Sequence, residues 1–311
     1  MFLNLAYNLS NQQTMTSPRI LLPFNFTDAC VTALRYAYQM ANHLSADITL
    51  LHCTGALQLT PTFKSQLLQR LRSFAERHAR QFSSGVGTEP LIECTIKEGE
   101  LRKHLTQVVD ELNVDMMVSP ADYLLAGLEQ QQVVALPELV KCPILLVPSN
   151  AVFQPLKEIV FSLDVTDTNE AVMNRVQKLA QKFNAHLTLL HLHSQLDGVS
   201  FCQVKKAAAA LKTELTYPNL DIVCQEEDDL LEGLNSFSGR LTPDLFVLAT
   251  RDTHLLQEYF SGDYRKTSPG HLRTPLLNLY QARKTPCSAS CRHCNHDVQE
   301  ENTASKVGLA T

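Results

Sequence analysis

One internal repeat constrains the fold of this chain more than any other feature of its sequence. A short apolar run, Arg19–Pro23, precedes a polar turn that ends at Asp28, and a second run, Glu158–Leu163, precedes a similar turn that ends at Asp167. The two turns are 139 residues apart, and a strand-like segment that ends in His recurs at the same offset. Several consecutive elements that match at constant spacing indicate two copies of one folding unit.

Each copy alternates apolar strand segments with amphipathic helical segments. In 33–44 and 171–183 the apolar residues recur every three or four positions, as one buried face of a helix requires. Several strand segments are apolar on both faces, which is typical of a parallel sheet covered by helices on both sides. We therefore predict an α/β fold with two tandem Rossmann-like, doubly wound domains, each with a five-stranded, mainly parallel sheet flanked by helices.

The length of the chain fits this division. The sequence has 311 residues, and domains usually contain about 100–200 residues, so there is room for two cores. The predicted division is a disordered N-terminus at 1–16, a first domain at 17–150, a second domain at 155–281, and a flexible tail with Cys and His residues at 282–311.

Charge and cysteine content exclude several classes of protein. The formal net charge is −5, so no overall basic field favours nucleic acid. No apolar run reaches the roughly 18–20 residues of a membrane-spanning helix. The nine cysteines are odd in number and mostly scattered, which is unlike a disulfide framework and favours a reducing compartment. We therefore predict a cytoplasmic protein that binds neither nucleic acid nor membranes.

Any ligand site of such a fold is expected at one edge of the sheet. In open parallel sheets, ligands bind beyond the carboxyl ends of the strands, where helix N-termini favour phosphate. The relevant loops follow the first and fourth strands of each copy, at 24–28 and 120–134 and at 164–168 and 249–263. The polar turns also have a purely structural interpretation, in which Thr27 or Asp28 and Thr166 or Asp167 cap the helices that follow, because Thr or Asp at a strand-to-helix junction commonly does so.

Taken in order, these motifs resemble the universal stress protein family in its tandem form. The similarity rests on the polar turn, the strand that ends in T-L-L-H, the D-x-x-V start of the fourth strand, and a last strand preceded by Pro, all present in both copies. It extends over about 17–281. It implies a non-catalytic binding or interaction protein of the stress response with an unknown protein partner. It also implies a homodimer, and an intrachain pseudo-dimer packed through the last strands or neighbouring faces.

The first copy departs from the nucleotide-binding pattern of that family. Nucleotide-binding members carry a loop G-x2-G-x9-G-(S/T) after the fourth strand, in which glycine lets the backbone approach the phosphates, and an Asp after the first strand that contacts the base side of ATP. Here the glycine positions hold Pro120, Tyr123 and Val133, and the Asp position holds Asn25. The chain therefore resembles the branch that does not bind ATP.

The second copy keeps part of the pattern. Asp164 is present, while the glycine positions hold Ala249, Asp252 and Gly262, and Asp263 replaces the hydroxyl residue. Two carboxylates that face phosphates repel them unless a cation intervenes. We therefore predict a degenerate nucleotide site at these five residues and no bound cofactor, with an ATP-binding or other nucleotide-binding switch in the second domain as the alternative.

The ends of the second strands carry histidines in both copies. His52, His191 and His193 could bind metal or titrate near neutral pH, but a His at a strand end is usually a partly buried, hydrogen-bonded side chain. We predict that structural role for them. No nucleophile–base pattern occurs in the sequence, so no catalytic residue is predicted.

The tail is rich in metal-binding residue types. Cys287, Cys291, Cys294 and His296, with His293 as an alternate ligand, have a spacing that fits a tetrahedral zinc site. Exposed thiols there are also open to oxidation. Zinc or redox sensing through the tail is therefore a second alternative function, and a tail without a specific role is the remaining one.

Overall fold

The computed structural model describes residues 17–55, 58–83, 89–123, 139–194, 200–250, 253–261 and 274–279. Within these ranges the chain forms ten strands and seven helices. The strands are β1 (Arg19–Pro23), β2 (Asp47–Cys53), β3 (Ile92–Lys97), β4 (Met116–Pro120), β5 (Ile144–Val147), β6 (Glu158–Ser162), β7 (His186–His193), β8 (Leu220–Glu226), β9 (Leu245–Leu248) and β10 (Leu276–Asn278). The helices are α1 (Asp28–Leu44), α2 (Pro61–Phe82), α3 (Leu101–Glu111), α4 (Glu170–Phe183), α5 (Phe201–Glu214), α6 (Leu230–Ser238) and α7 (Thr253–Ser261).

All ten strands belong to one sheet with the order β3-β2-β1-β4-β5-β10-β9-β6-β7-β8. Within each repeat the paired strands are parallel and the order is the same, which confirms the predicted α/β fold. The two five-stranded sheets are continuous with each other, because β5 and β10 pair in the antiparallel sense.

The pairing of β5 with β10 forms the seam between the repeats. Leu276 lies opposite Leu146, and Leu277 lies opposite Leu145. All four side chains are buried. Each strand is short and apolar, and an apolar edge strand left unpaired invites aggregation, so pairing the two edges removes that hazard. The last strands thus hold the two repeats together, which is one of the two arrangements that the resemblance implied.

Helices cover both faces of the sheet. On one face, α1, α2, α4 and α5 bury one large apolar cluster, and on the other, α3, α6 and α7 bury a second. Strand residues alternate between the clusters, so that Leu22 faces one and Leu21 the other. This alternation is what a parallel sheet with two covered faces requires. None of the described helices is both long and apolar enough to cross a membrane.

The polar turns cap their helices differently in the two repeats. The Thr27 side chain accepts a hydrogen bond from the Cys30 N–H and caps α1, as predicted. The predicted cap of the second repeat, at Thr166 or Asp167, is wrong. A turn after β6 delays the helix, and Asn169 caps α4 by accepting from the N–H groups of Ala171 and Val172.

The Asp that precedes the fourth strand has a structural role in both repeats. Asp244 Oδ2 accepts hydrogen bonds from the backbone N–H groups of Lys157, at 2.8 Å, and Glu158, at 2.9 Å. Asp115 Oδ2 accepts one from the N–H of Arg19, at 2.8 Å. This carboxylate therefore ties the start of the fourth strand to the start of the first.

Candidate functional site

A cavity of about 390 Å³ lies at the carboxyl edge of the first repeat, where the sequence places a ligand site. Its walls come from the end of β1, the loops after β2 and β3, and Tyr123, which follows β4. The loops after β2 and β3 are joined at the cavity by a hydrogen bond of 3.0 Å from the Gly55 N–H to the Gly99 oxygen. Gly99 has a φ of 100°, a conformation that favours glycine.

Asn25, at the family's base-contacting position, is occupied by hydrogen bonds within its own repeat. Its Oδ1 accepts from the Thr27 N–H at 3.2 Å and from the Thr27 hydroxyl at 2.7 Å. The Cys30 thiol also donates to it, with the sulfur 3.1 Å away. The amide oxygen of Asn25 therefore organises the loop and the start of α1.

Tyr123 fills the place of a loop glycine. Its hydroxyl lies 3.3 Å from the Cys30 sulfur, so Tyr123, Cys30 and Asn25 form a continuous chain of polar contacts. Burial raises the pKa of Tyr123 above its usual range, and the neighbouring Cys30 adds to the effect. The phenol is therefore neutral, and a bulky ring stands where a phosphate loop needs a bare backbone.

An aromatic cluster joins the loop after β1 to α2. Phe26 has a φ of 67°, which costs a bulky side chain about 1–3 kcal/mol. Its ring packs edge-on against Phe24, Phe74 and His52, with centroids 5.3–5.6 Å apart, and Arg70 lies over it at 5.1 Å. The His52 ring also hydrogen-bonds the Phe24 oxygen at 2.7 Å, which is the structural role predicted for it.

Asp164 makes the corresponding turn in the second repeat. Its Oδ1 accepts from the Thr166 N–H at 2.8 Å and from the Thr166 hydroxyl at 2.7 Å, just as Asn25 does with Thr27. The side chain is 57% exposed, and His191 Nδ1 lies 3.8 Å from Oδ1. Asp164 and Asn25 are both exposed, so the second repeat keeps a carboxylate where the first has an amide that also contacts Cys30.

His191 and His193 form a stacked ladder beside this turn. Their rings lie 6.0 Å apart and nearly parallel, and His193 stacks on Phe201 at 5.1 Å. His191 Nδ1 lies 3.4 Å from the Val165 nitrogen, while its Nε2 is buried and has no hydrogen-bond partner among the described residues. Nowhere in the described ranges do three His, Cys, Asp or Glu side chains gather as a metal site would require.

The start of the second repeat's loop is tied to the seam. Ala249, at the first glycine position, is half-buried directly after β9. The next residue, Thr250, donates its N–H to Asn278 Oδ1 at 3.1 Å, and its oxygen accepts from Asn278 Nδ2 at 3.0 Å. The first backbone N–H of this loop after Ala249 therefore already has a partner.

The remaining predicted site residues lie outside the described residues. These are Asp252, Gly262 and Asp263 of the degenerate nucleotide site and Cys287, Cys291, Cys294 and His296 of the predicted zinc site. Of the degenerate nucleotide site, the structure therefore describes only Asp164 and Ala249, and it describes none of the four predicted zinc ligands.

Sequence analysis did not identify the roles of two residues at these crevices. Cys30 links Asn25 to Tyr123, and Asn278 holds the Thr250 backbone. Asn278 gave a usable signal, because a polar residue in an otherwise apolar last strand needs a buried partner. Cys30 gave none, since a Cys on the buried face of a helix is ordinary.

The thiols of the described residues are expected to react in the order of their exposure. Burial raises the pKa of Cys53 and of Cys94 to about 11 and that of Cys142 to about 12. Cys202 on α5 is exposed. The thiolate is the reactive form, so at pH 8 iodoacetamide should label Cys202 at least tenfold faster than Cys142 in peptide mass spectrometry. Equal rates in the native protein would contradict this burial, and labelling in urea provides the control.

The fold defines a doubly wound α/β protein, and a comparison with protein families shows what its first repeat resembles. Residues 17–127 match the model of the universal stress protein family. The first repeat is therefore similar to the universal stress protein family, which agrees with the resemblance that the sequence predicted. No curated protein sequence matches the chain.

Solved structures show the same fold over both repeats. A universal stress protein from Archaeoglobus fulgidus DSM 4304 is 10% identical, with a TM-score of 0.63, over 86% of this chain and 97% of that one. A putative universal stress protein from Pseudomonas aeruginosa UCBPP-PA14 is 14% identical, with a TM-score of 0.54, over 85% and 93%. A universal stress protein in complex with cAMP is 18% identical over 43% of this chain and 99% of that one, and its TM-score of 0.35 supports no argument about ligands.

Proposed function

We propose that the chain is a tandem universal stress protein that acts in the stress response as a non-catalytic binding protein, without a nucleotide cofactor. The observation that carries this proposal is the contact chain from Asn25 through Cys30 to Tyr123. Asn25 and Tyr123 stand at family positions for the base and the phosphates, and both are engaged with Cys30 instead. A nucleotide would have to break these contacts and displace a half-buried ring.

The second repeat supports the same conclusion through its backbone. The N–H of Thr250 is held by Asn278 across β9 and β10, so the loop after β9 begins with an occupied donor. The two carboxylates that follow in the sequence, Asp252 and Asp263, would add negative charge near a bound phosphate. Both effects weaken nucleotide binding.

The seam supports an intrachain pseudo-dimer as the working unit. Because β5 and β10 pair with each other, the last strands of the two repeats are not available to a second copy in the same way. A homodimer, which the resemblance implied, would have to use another surface. We place this unit in the cytoplasm with a protein partner.

Calorimetry with Mg-ATP tests the proposal directly. We expect no heat of binding up to 1 mM ATP, no nucleotide in the native mass spectrum of the purified protein, and no ATP hydrolysis above that of a blank. Nucleotide that co-purifies, or a dissociation constant below about 100 μM, would overturn the proposal. Lysozyme at the same concentration serves as the control for nonspecific heat.

Nucleotide binding by the second repeat is the competing function, and the exposed carboxylate of Asp164 favours it. Asp164→Asn reproduces the residue found at the same position in the first repeat, and an Asn Oδ1 can keep the bonds to Thr166. If ATP binds to the wild type and this variant loses at least tenfold in affinity, the second repeat is the site. The matched variant Asn25→Asp tests the first repeat and should leave that affinity unchanged.

Zinc sensing by the tail is a separate candidate that the three thiols and two imidazoles of 287–296 favour. Elemental analysis of protein purified under reducing conditions without added metal tests it. One zinc per chain, lost in Cys291→Ser and kept in Cys202→Ser, would establish the tail as a metal site. Absence of zinc, also after incubation with a stoichiometric amount, would rule it out.

A further inference from the structure

A groove of about 950 Å³ lies beside the seam, at the opposite edge of the sheet from the cavity of the first repeat. It lies at the amino ends of β4 and β5, where the carboxyl end of the antiparallel strand β10 also arrives. Helix α4 of the second repeat and the ends of α1 and α3 of the first form its sides. Both repeats therefore contribute to one site.

The floor of the groove is apolar. Apolar side chains around the seam line it, and each of them is buried. They are Val114, Met116, Val176, Leu179, Leu277 and Leu279. An apolar recess of this size is within the usual range for binding sites of small molecules, about 300–1,000 Å³.

One wall of the groove is positively charged. Arg175, Lys178 and Lys182 recur at spacings of three and four residues and therefore lie on one face of α4, and Lys141 precedes β5. Among the described residues none of these four cations has a carboxylate oxygen within 4.0 Å.

Two carboxylates also line the groove, but they do not balance these cations. Asp115 already accepts the Arg19 N–H, and Asp110 is the other acidic residue of the lining. Four cations against two carboxylates leave an excess of positive charge next to an apolar floor.

We propose that this groove binds a single-chain anionic amphiphile, namely a long-chain fatty acid with its carboxylate against Lys178 and Lys182. The apolar floor disfavours a ligand that is only an ion, such as free phosphate. The unpaired cations disfavour a neutral apolar ligand, because charge-assisted hydrogen bonds to a carboxylate are stronger than bonds to a hydroxyl. The groove shares no lining residue with the cavity of the first repeat, and neither Asp164 nor Ala249 lines it, so the proposal does not depend on whether nucleotide binds there.

Titration of the full chain with palmitate, kept below its aggregation concentration, tests the charged wall. We expect saturable binding of one palmitate per chain and at least tenfold weaker binding of hexadecanol, which has the same chain without the charge. The double variant Lys178→Glu with Lys182→Glu should weaken palmitate at least tenfold. The matched double variant Lys205→Glu with Lys206→Glu makes the same charge change on exposed positions of α5 and should bind like the wild type.

A second pair of variants tests the apolar floor. Leu44 is half-buried at the end of α1 and lines the groove, so Leu44→Trp should fill part of it and abolish saturable binding. Leu91→Trp, at a position that is 60% exposed beside β3, is the control. Thermal unfolding of both variants shows whether the fold is retained, and the charge variants keep the test valid if Leu44→Trp does not fold.

The proposal fails if palmitate does not bind, if hexadecanol binds equally well, or if the two charge-reversal pairs behave alike. Flotation with phosphatidylcholine vesicles that contain palmitate distinguishes a free ligand from a membrane surface. Vesicle binding without binding of free palmitate would overturn the proposal in favour of a membrane contact. None of these results bears on ATP, so failure here and failure of the proposed function are distinguishable.

Discussion

Replacing Leu146 or Leu276 by alanine is expected to lower the free energy of unfolding by about 2–5 kcal/mol in each case. The two side chains lie opposite each other across the seam, and each is 0% exposed. Truncation removes buried apolar surface and leaves a cavity that the short strands β5 and β10 cannot easily close. Urea unfolding followed by far-ultraviolet circular dichroism measures the loss.

A double-mutant cycle tests whether the seam acts as one unit. Because the two leucines lie opposite each other, the losses of the single variants should not add, and the coupling is expected at about 0.5–3 kcal/mol. Val152→Ala, at a position that is 69% exposed, should change stability by less than about 0.5 kcal/mol. Additive losses of unfolding free energy, or losses as small as that of the control, would contradict the prediction that the two leucines pack against each other across the seam.

The arrangement of the strands was predictable because the sequence repeats it. The apolar runs that became β1 and β6, and the strands that end in His52 and His191, are local signals that appear twice at one spacing. Parallel strands with both faces covered have a nearly continuous apolar sequence, which can be recognised without knowledge of tertiary contacts. The pairing of the two last strands was only one of two predicted arrangements, because an edge strand does not encode its partner.

The crevices were harder to predict than the strands. Tyr123 was identified at a glycine position, but its contact with Cys30 joins residues 93 positions apart and has no local signature. The left-handed conformation of Phe26 was equally hidden, since its ring packs against Phe74 and Arg70, which lie on helix α2. In both cases tertiary packing determines the shape of the loop at the crevice. The sequence motif shows only that the glycines of the nucleotide-binding pattern are missing.

The prediction of the N-cap of α4 was wrong for a local reason. Thr166 and Asp167 have the same residue types as Thr27 and Asp28, and the repeat alone predicts that they start the helix at the same point. The structure instead has a hydrogen bond from the Asp167 N–H to the Asp164 oxygen, which makes a turn there. The helix then begins after Asn169, so a repeat conserves the order of elements better than their ends.

Loss of the carboxylate that joins the fourth strand to the first is expected to cost more in the second repeat than in the first. Asp244→Ala removes a charged acceptor from two backbone N–H groups, those of Lys157 and Glu158. Hydrogen bonds to charged groups contribute about 1.5–3 kcal/mol each, so we expect a loss of about 3 kcal/mol. Asp115→Ala removes one such bond, to Arg19, from a more exposed position and should cost about half as much.

The comparison of these two variants separates hydrogen bonding from a general effect of removing negative charge. Both substitutions change the net charge by the same amount, so equal losses would show that the two bonds to Asp244 do not set its contribution. Asp244→Asn keeps one acceptor oxygen and should recover about half of the loss, because the remaining bonds are then made to a neutral group. Urea unfolding at pH 7, with equal slopes for all variants, gives the free energies to be compared.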